Sequence, residues 1–328
     1  LAGFKPNNLG NLTGPKDLIS IYEKNLAENN RDFKTFTALI RELIKSGHYE
    51  KATEKIQSGF QLFQETIQLQ SLLSHLELAK GNYESAIFTQ QMALEHMYQQ
   101  KDRPNGSVRE ADLLFNLGAL YFLKGYAHLG RKIEAENTGN SHQEHQENTA
   151  ALADFQTART QLKQALALAP QDIYMLDEYA RVGFNLAYLM RGEEAELLWK
   201  ETIQSFKAVL YAENKHGLGQ QTLQEASAFL AHAYTKNRQF VEAEYTLQLS
   251  TSFCPNYWLL HYIQACFYTL RYDQEQNPSD LERALQCLAT AVSIADPGNH
   301  SRSEAIKDPD LKTVRTVKKT QFFKIIES

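Results

Sequence analysis

Two stretches of this chain superimpose at a shift of 34 residues. Gly47-His48-Tyr49-Glu50-Lys51-Ala52 becomes Gly81-Asn82-Tyr83-Glu84-Ser85-Ala86. Seven residues after each alanine stands a small residue with a large apolar one behind it, Gly59-Phe60 and then Ala93-Leu94. A Gly-x-Tyr-x-x-Ala step with that sequel describes two helices joined by a tight turn. Repetition at a fixed period describes a solenoid, because one such unit cannot bury its apolar face alone and must stack on its neighbours.

The pattern extends along the chain. Residues 1–14 are rich in Gly, Asn and Pro and read as irregular, and a helix starts near Pro15 with Leu18, Tyr22 and Leu26 at helical spacing. The first full unit covers about 33–66, with Phe36, Leu39, Ile40 and Leu43 on one helix and Ala52, Ile56, Gly59 and Phe60 on its partner. The small residues let the helices approach, and Gly47 suits the left-handed position that ends the first of them. The second unit, about 67–100, has Leu73, Gly81, Tyr83, Ala86 and Ala93, with Glu77 where an apolar residue is expected. In the third, Leu114, Leu117, Gly118, Tyr121 and Gly125 mark the first helix. Ala158, Leu162, Ala165 and Leu166 mark the second, so Gly125 to Ala158 spans 33 residues where Gly47 to Ala52 spans five. The 28 extra residues fall in a polar insertion at about 126–157, whose middle has almost no apolar content and reads as a mobile loop flanked by helical extensions. The fourth unit, 173–214, is the least regular. The fifth (Leu230, Ala231, Tyr234, Phe240, Ala243, Leu247) is well formed, and the sixth has Ala265 and Tyr268 on its first helix, a bend enlarged by a Gln/Asn/Pro turn at 274–278, then Ala284, Leu288 and Ala291. The expectation is an all-α, right-handed superhelical solenoid of about six repeats over 15–297, with one continuous core, followed by a capping segment at 298–328, about fourteen helices in all.

Composition agrees. Only eight Pro and sixteen Gly punctuate 328 residues, which is sparse for an all-β chain. A net charge of −5 without a long run of one sign argues against a nucleic-acid partner. Three cysteines without a CxxC spacing do not make a disulfide framework and fit a reducing compartment. The most apolar stretch, Leu113 to Leu123, falls far short of the ~20 residues that a membrane span needs. The chain opens on Leu1 rather than Met and has no signal-like start, which suggests a fragment or processed precursor and a cytoplasmic location, with the periplasm left open.

Motifs that carry chemistry are scarce. His142-x-x-His145, with Glu144 and Glu147 nearby, has a spacing that could share a metal ion, but the polar stretch around it lacks the second shell that holds ligands rigid. No phosphate loop, nucleophile elbow or HExxH motif occurs. The expectation is no catalytic residue, no cofactor and no metal.

The 34-residue period, Leu117-Gly118-x-x-Tyr121-x-x-x-Gly125, Gly81-x-Tyr83-x-x-Ala86 and the helix-ending Pro170 and Pro255 resemble the tetratricopeptide repeat family. Asp308-Pro309-Asp310-Leu311-x-x-Val314-Arg315 with Phe322 resembles the closing segment of many bacterial members, where an aspartate-rich turn and a short amphipathic helix cover the last apolar face. That likeness suggests a bacterial source and a natural C-terminus near Ser328. The resemblance implies a scaffold or adaptor that holds a protein or peptide along the concave face of its first helices. The positions of that face fall on Lys34, Arg41, His75, Phe115, Asn116, Phe122, Arg181, Asn185, Tyr188, Phe229, His232, Lys236 and Tyr262. Phe115, Phe122 and Tyr262 would bury partner side chains. Asn116 and Asn185 stand where the family's Asn grips a peptide backbone, and Arg181 could hold a carboxylate. The family's clamp for chaperone C-termini needs Lys and Asn on the first repeat; Thr37 and Arg41 stand there, and Leu72 replaces the next Asn, which argues against that ligand. A sensor domain taking a signalling peptide or small ligand, an unmarked enzyme or metal protein using His142 and His145, and self-association are the alternatives.

Overall fold

The computed structural model describes residues 15–99, 109–294 and 300–327; the segment 1–14 lies outside them. Among the described residues there are sixteen α-helices, two short 3₁₀ turns and no strand. The expected count of about fourteen is exceeded because the closing segment folds as three short helices rather than one. Consecutive helices pair antiparallel, giving an all-α stack of helical hairpins. The chain divides into two compact units, Leu1–Met175 and Leu176–Ser328, where the repeat logic leads one to expect a single core. The division falls in the fourth repeat, the one whose sequence pattern is weakest.

The first unit contains α1 (Pro15–Glu28), α2 (Phe33–Lys45), α3 (Tyr49–Leu62), α4 (Thr66–Ala79), α5 (Tyr83–Gln99), α6 (Glu110–Thr138) and α7 (Ser141–Leu168). The sequence repeat is a repeat of backbone geometry. Gly47 and Gly81 take φ of +76° and +83°, and the next amides, of His48 and Asn82, donate back to Leu43 and Glu77 carbonyls at 2.8 and 2.9 Å. This left-handed closure satisfies carbonyls that a helix end leaves open. Glu77 is no defect: its carboxylate accepts from Asn82 Nδ2 at 2.8 Å and Lys80 Nζ at 3.0 Å, bracing the turn that follows it. Gly59 is small for a reason, since a Cβ there would sit 2.8 Å from the Phe36 ring. Phe60, expected on the buried stripe, is exposed, and Phe63 packs on Phe33 and Phe36 in its place, with ring centroids 5.1 and 4.8 Å apart. The helix ends at Leu62, and the extended backbone of Phe63 turns its ring inward.

The polar insertion is not a loop. It prolongs α6 and α7 into an antiparallel hairpin whose tip is Gly139, at φ +72°, with Asn140 capping α7 by accepting from the Gln143 amide. Ala135, Ala151 and Phe155 are buried along its seam. A Cβ on Gly125 would lie 2.5 Å from the Phe155 ring, and one on Gly118 would lie 2.7 Å from Leu162, so these glycines set how closely the two long helices approach. On the polar side, His128 Nδ1 meets Glu147 at 2.5 Å, Arg131 meets the same carboxylate at 3.1 Å, and Lys124 faces Asp154 at 3.6 Å. A two-helix extension buries one narrow stripe and solvates the rest, which explains the polar composition.

The second unit contains most of α8 (Ile173–Leu189), then α9 (Glu193–Tyr211), α10 (Gln220–Lys236), α11 (Phe240–Phe253), α12 (Trp258–Glu275) and α13 (Pro278–Ser293). Between α9 and α10 the chain makes a 3₁₀ turn, Lys215–Leu218, ended by Gly219 at φ +79°. The bend after α12 is closed by Gln276 in the left-handed region, by Asn277 as the cap of α13 and by Pro278 in its first turn. Asp280, fully buried, is held by Arg271 at 2.6 and 2.9 Å, and the guanidinium lies over the Phe267 and Tyr268 rings. The chain closes through α14 (His300–Lys307), a 3₁₀ turn at Pro309–Leu311, α15 (Lys312–Val317) and α16 (Lys319–Glu327). Leu311, Val314, Phe322 and Ile326 from these pieces bury against Leu281, Leu285 and Leu288 and seal the last pair.

Candidate functional site

The thirteen sequence-predicted residues all lie on the first helices of their pairs, but they have different surroundings. In the first unit, Lys34 and Arg41 are exposed on α2, and His75 is half-buried on α4. Phe115 is half-buried on α6 and packs against a cluster with Leu114, Ala165 and Met175. Asn116 donates to Ser71 Oγ at 3.5 Å. Phe122 is core: it is 5% exposed and packs on Phe155 at 5.6 Å and Tyr126 at 4.8 Å, because the prolonged hairpin covers it. It offers no surface to a partner.

In the second unit the predicted residues form one connected face. Arg181 on α8 pairs with Asp177 at 2.8 Å and Glu225 at 3.0 Å and lies over the Phe229 ring. Burial pushes the Asp177 carboxyl up even against the Arg181 charge, and its Oδ1 has no hydrogen-bond partner. Asn185 spends its amide on the Arg181 carbonyl one turn back, at 2.8 Å, rather than holding it towards the face. Phe229 packs on Phe184, whose ring also meets His232.

The remaining four residues converge on two carboxylates that belong to the chain itself. Asp308 accepts from Tyr262 Oη at 2.8 Å, Tyr188 Oη at 3.3 Å and Cys266 Sγ at 3.7 Å. Asp310 is gripped by Lys236 Nζ at 2.6 Å and His232 Nε2 at 2.9 Å. Since an ionised carboxylate only accepts, His232 must carry its proton on Nε2. Lys236 also rides over the Tyr188 ring at 5.3 Å. The Asp310 amide closes on Asp308 Oδ1 at 2.8 Å, which folds the Asp-Pro-Asp turn onto itself. Burial alone would raise the Asp310 carboxyl, yet the hydrogen bonds and charges of His232 and Lys236 outweigh it and pull it down to about 2. The phenols respond oppositely: burial, then the neighbouring acids and thiol, push Tyr188 and Tyr262 well up, so both stay protonated donors.

Sequence reasoning singled out Tyr188, His232, Lys236 and Tyr262 as a face and Asp308-Pro309-Asp310 as a cap. It did not join them. The signal that could have joined them is charge: a two-aspartate turn needs cations, and the cap's Arg315 is spent on the Ala305 and Asp308 carbonyls.

No protein-family model matches the chain, and neither does any curated protein. Among solved structures, the chain matches a tetratricopeptide repeat protein from Parabacteroides merdae ATCC 43184 at 15% identity over 94% of this chain and 100% of that one, with a TM-score of 0.45. The chain is similar to tetratricopeptide repeat proteins. The TPR2AB domain of yeast Sti1, solved as a pHSP90 complex, matches at 17% identity over 90% of this chain and 98% of that one (TM-score 0.29). The human IFIT1 dimer with m7Gppp-AAAA matches at 13% over 97% and 72% (TM-score 0.37).

Proposed function

We propose that this chain is a non-catalytic scaffold that holds a segment of a partner protein along the inner faces of its first helices, with the best-formed seat on α8, α10 and α12. One observation carries the reading. Three successive first helices present Tyr188, His232, Lys236 and Tyr262 to a stretch of chain that belongs to no repeat, so this face already holds a short peptide turn by its side chains. Aromatic rings with polar tips and one flexible cation supply area and direction together, as peptide-binding faces do. The net charge of −5 supports a protein partner rather than a nucleic acid of the kind present with IFIT1.

Site-specific photocrosslinking tests the reading. A benzophenone amino acid at Asn116 or Phe229 should capture partner proteins in cells of the source organism, whereas one at the exposed Val241 or Tyr245 of α11 should capture little. Adducts formed from α11 alone would overturn it.

A further inference from the structure

The Asp-Pro-Asp turn does more than closing the stack requires. Sealing the last helix pair is apolar work, done by Leu311, Val314, Phe322 and Ile326. Asp308 also bonds Tyr262 within that pair, but the turn reaches beyond it, Asp308 to Tyr188 on α8 and Asp310 to His232 and Lys236 on α10. There Asp310 neutralises Lys236, whose side chain is 20% exposed with the turn in place.

Resting on the scaffold reading above, we propose that this face is a receptor for a di-acidic Asp-x-Asp segment of a partner protein, and that the chain's own Asp308-Pro309-Asp310 occupies it in the resting state and is exchanged for the partner. The chemistry that recognises the tail defines the ligand. Two carboxylates two residues apart are needed, one for a pair of phenols and one for Lys236 with His232. A neutral or basic segment would leave Lys236 unanswered. Tethering sets the threshold: an intramolecular occupant competes at an effective concentration of the order of millimolar, so a free segment of equal chemistry wins only when it brings further contacts or high local abundance. The tail's helices, of eight, six and nine residues, are too short to stand alone in water and depend on docking, which makes the turn the part that can yield.

The test uses the full chain and a fluorescent peptide with the sequence of residues 305–312, alongside its twin carrying Asn in place of both Asp. Asp308→Asn/Asp310→Asn should bind the acidic peptide at least tenfold more tightly than the wild-type chain, because its own tail no longer competes. Adding Lys236→Met should reverse that gain, and the Asn twin should bind neither. In the wild-type chain, saturating acidic peptide should speed amide exchange across 308–317. Equal affinity of wild type and double variant, or equal binding of the two peptides, overturns the proposal. Should the double variant fail to fold, the wild-type exchange decides: unchanged protection of 308–317 at several millimolar peptide overturns it. If these fail while crosslinks still form at Phe229, the scaffold reading survives and only the di-acidic exchange falls.

Discussion

Among the described residues, one histidine–carboxylate network lies in the prolonged hairpin and another under the closing segment, and they push their aspartates in opposite directions. In the hairpin, Asp154 is buried and faces His128 Nε2 at 3.4 Å and Lys124 Nζ at 3.6 Å, beyond good hydrogen-bond length; its Oδ2 has no hydrogen-bond partner. Burial wins there, and the carboxyl is pushed up. Under the closing segment, Asp310 is buried more deeply still, but its partners stand at 2.6 and 2.9 Å, and contact wins. An ångström or less of separation decides whether a buried carboxylate is a stabilising anion or a reluctant one. Residue type alone does not reveal the sign, since both sites combine His, Lys and Asp.

The comparison can be broken at several levels. The apolar seam beneath the hairpin should outweigh either network. Phe155→Ala removes a fully buried ring that touches Phe122, Tyr126 and the backbone at Gly125, and should cost about 3–5 kcal/mol in chemical denaturation. A loss under 1 kcal/mol would mean that the hairpin does not depend on its seam. Asp310 comes next. A carboxyl drawn from 3.8 to about 2 by folding contributes about 2 kcal/mol at neutral pH. Because its folded pKa is depressed, that contribution is complete above pH ~4 and disappears as pH falls through about 2. Asp310→Asn should therefore lower stability at pH 7 and flatten the acid limb of the stability curve; an unchanged limb would show that the contact is weaker than its geometry. Gly139→Ala forces a side chain into a left-handed turn with open space around it, so its cost is backbone strain alone, about 1 kcal/mol by melting. Asp154→Asn should have the smallest effect and the reverse sign. A buried acid with a raised pKa opposes folding when ionised, so the variant should melt no lower than the wild-type chain at pH 7, and the wild-type contribution of this group should improve on mild acidification. A clear loss at pH 7 would show that Lys124 and His128 close on Asp154 in solution.

Much of the fold was legible because the repeat writes its packing into short steps. Gly47 and Gly81 announce identical turns, and Ala52, Gly59 and Ala93 announce close helix approach. The insertion was misread because a solvated hairpin and a mobile loop share one composition; only the thin spacing of Ala135, Ala151 and Phe155 separates them. The site was half legible. Helical phase placed Tyr188, His232, Lys236 and Tyr262 on first helices, and the two-aspartate turn was visible as a cap. Their meeting was not, since it joins side chains 46 to 120 residues apart, a separation that no local pattern encodes. Phe122 was misassigned for a related reason, as its cover is the hairpin that was read as a loop.

The placement of the hairpin tip has a consequence for how such a chain can lengthen. The left-handed glycine that ends α6 stands 14 residues beyond Gly125, and Ala158 lies 19 residues after that tip where Ala52 lies five after Gly47, so each arm has gained 14 residues. At 3.6 residues per turn that is about 3.9 turns, nearly a whole number. Both arms therefore come back to the stack with their faces still aimed at the same neighbours. Growth by near-integral turns adds reach without re-aiming the base, whereas arms lengthened by a half-turn multiple would carry Ala158 and Leu162 round to water.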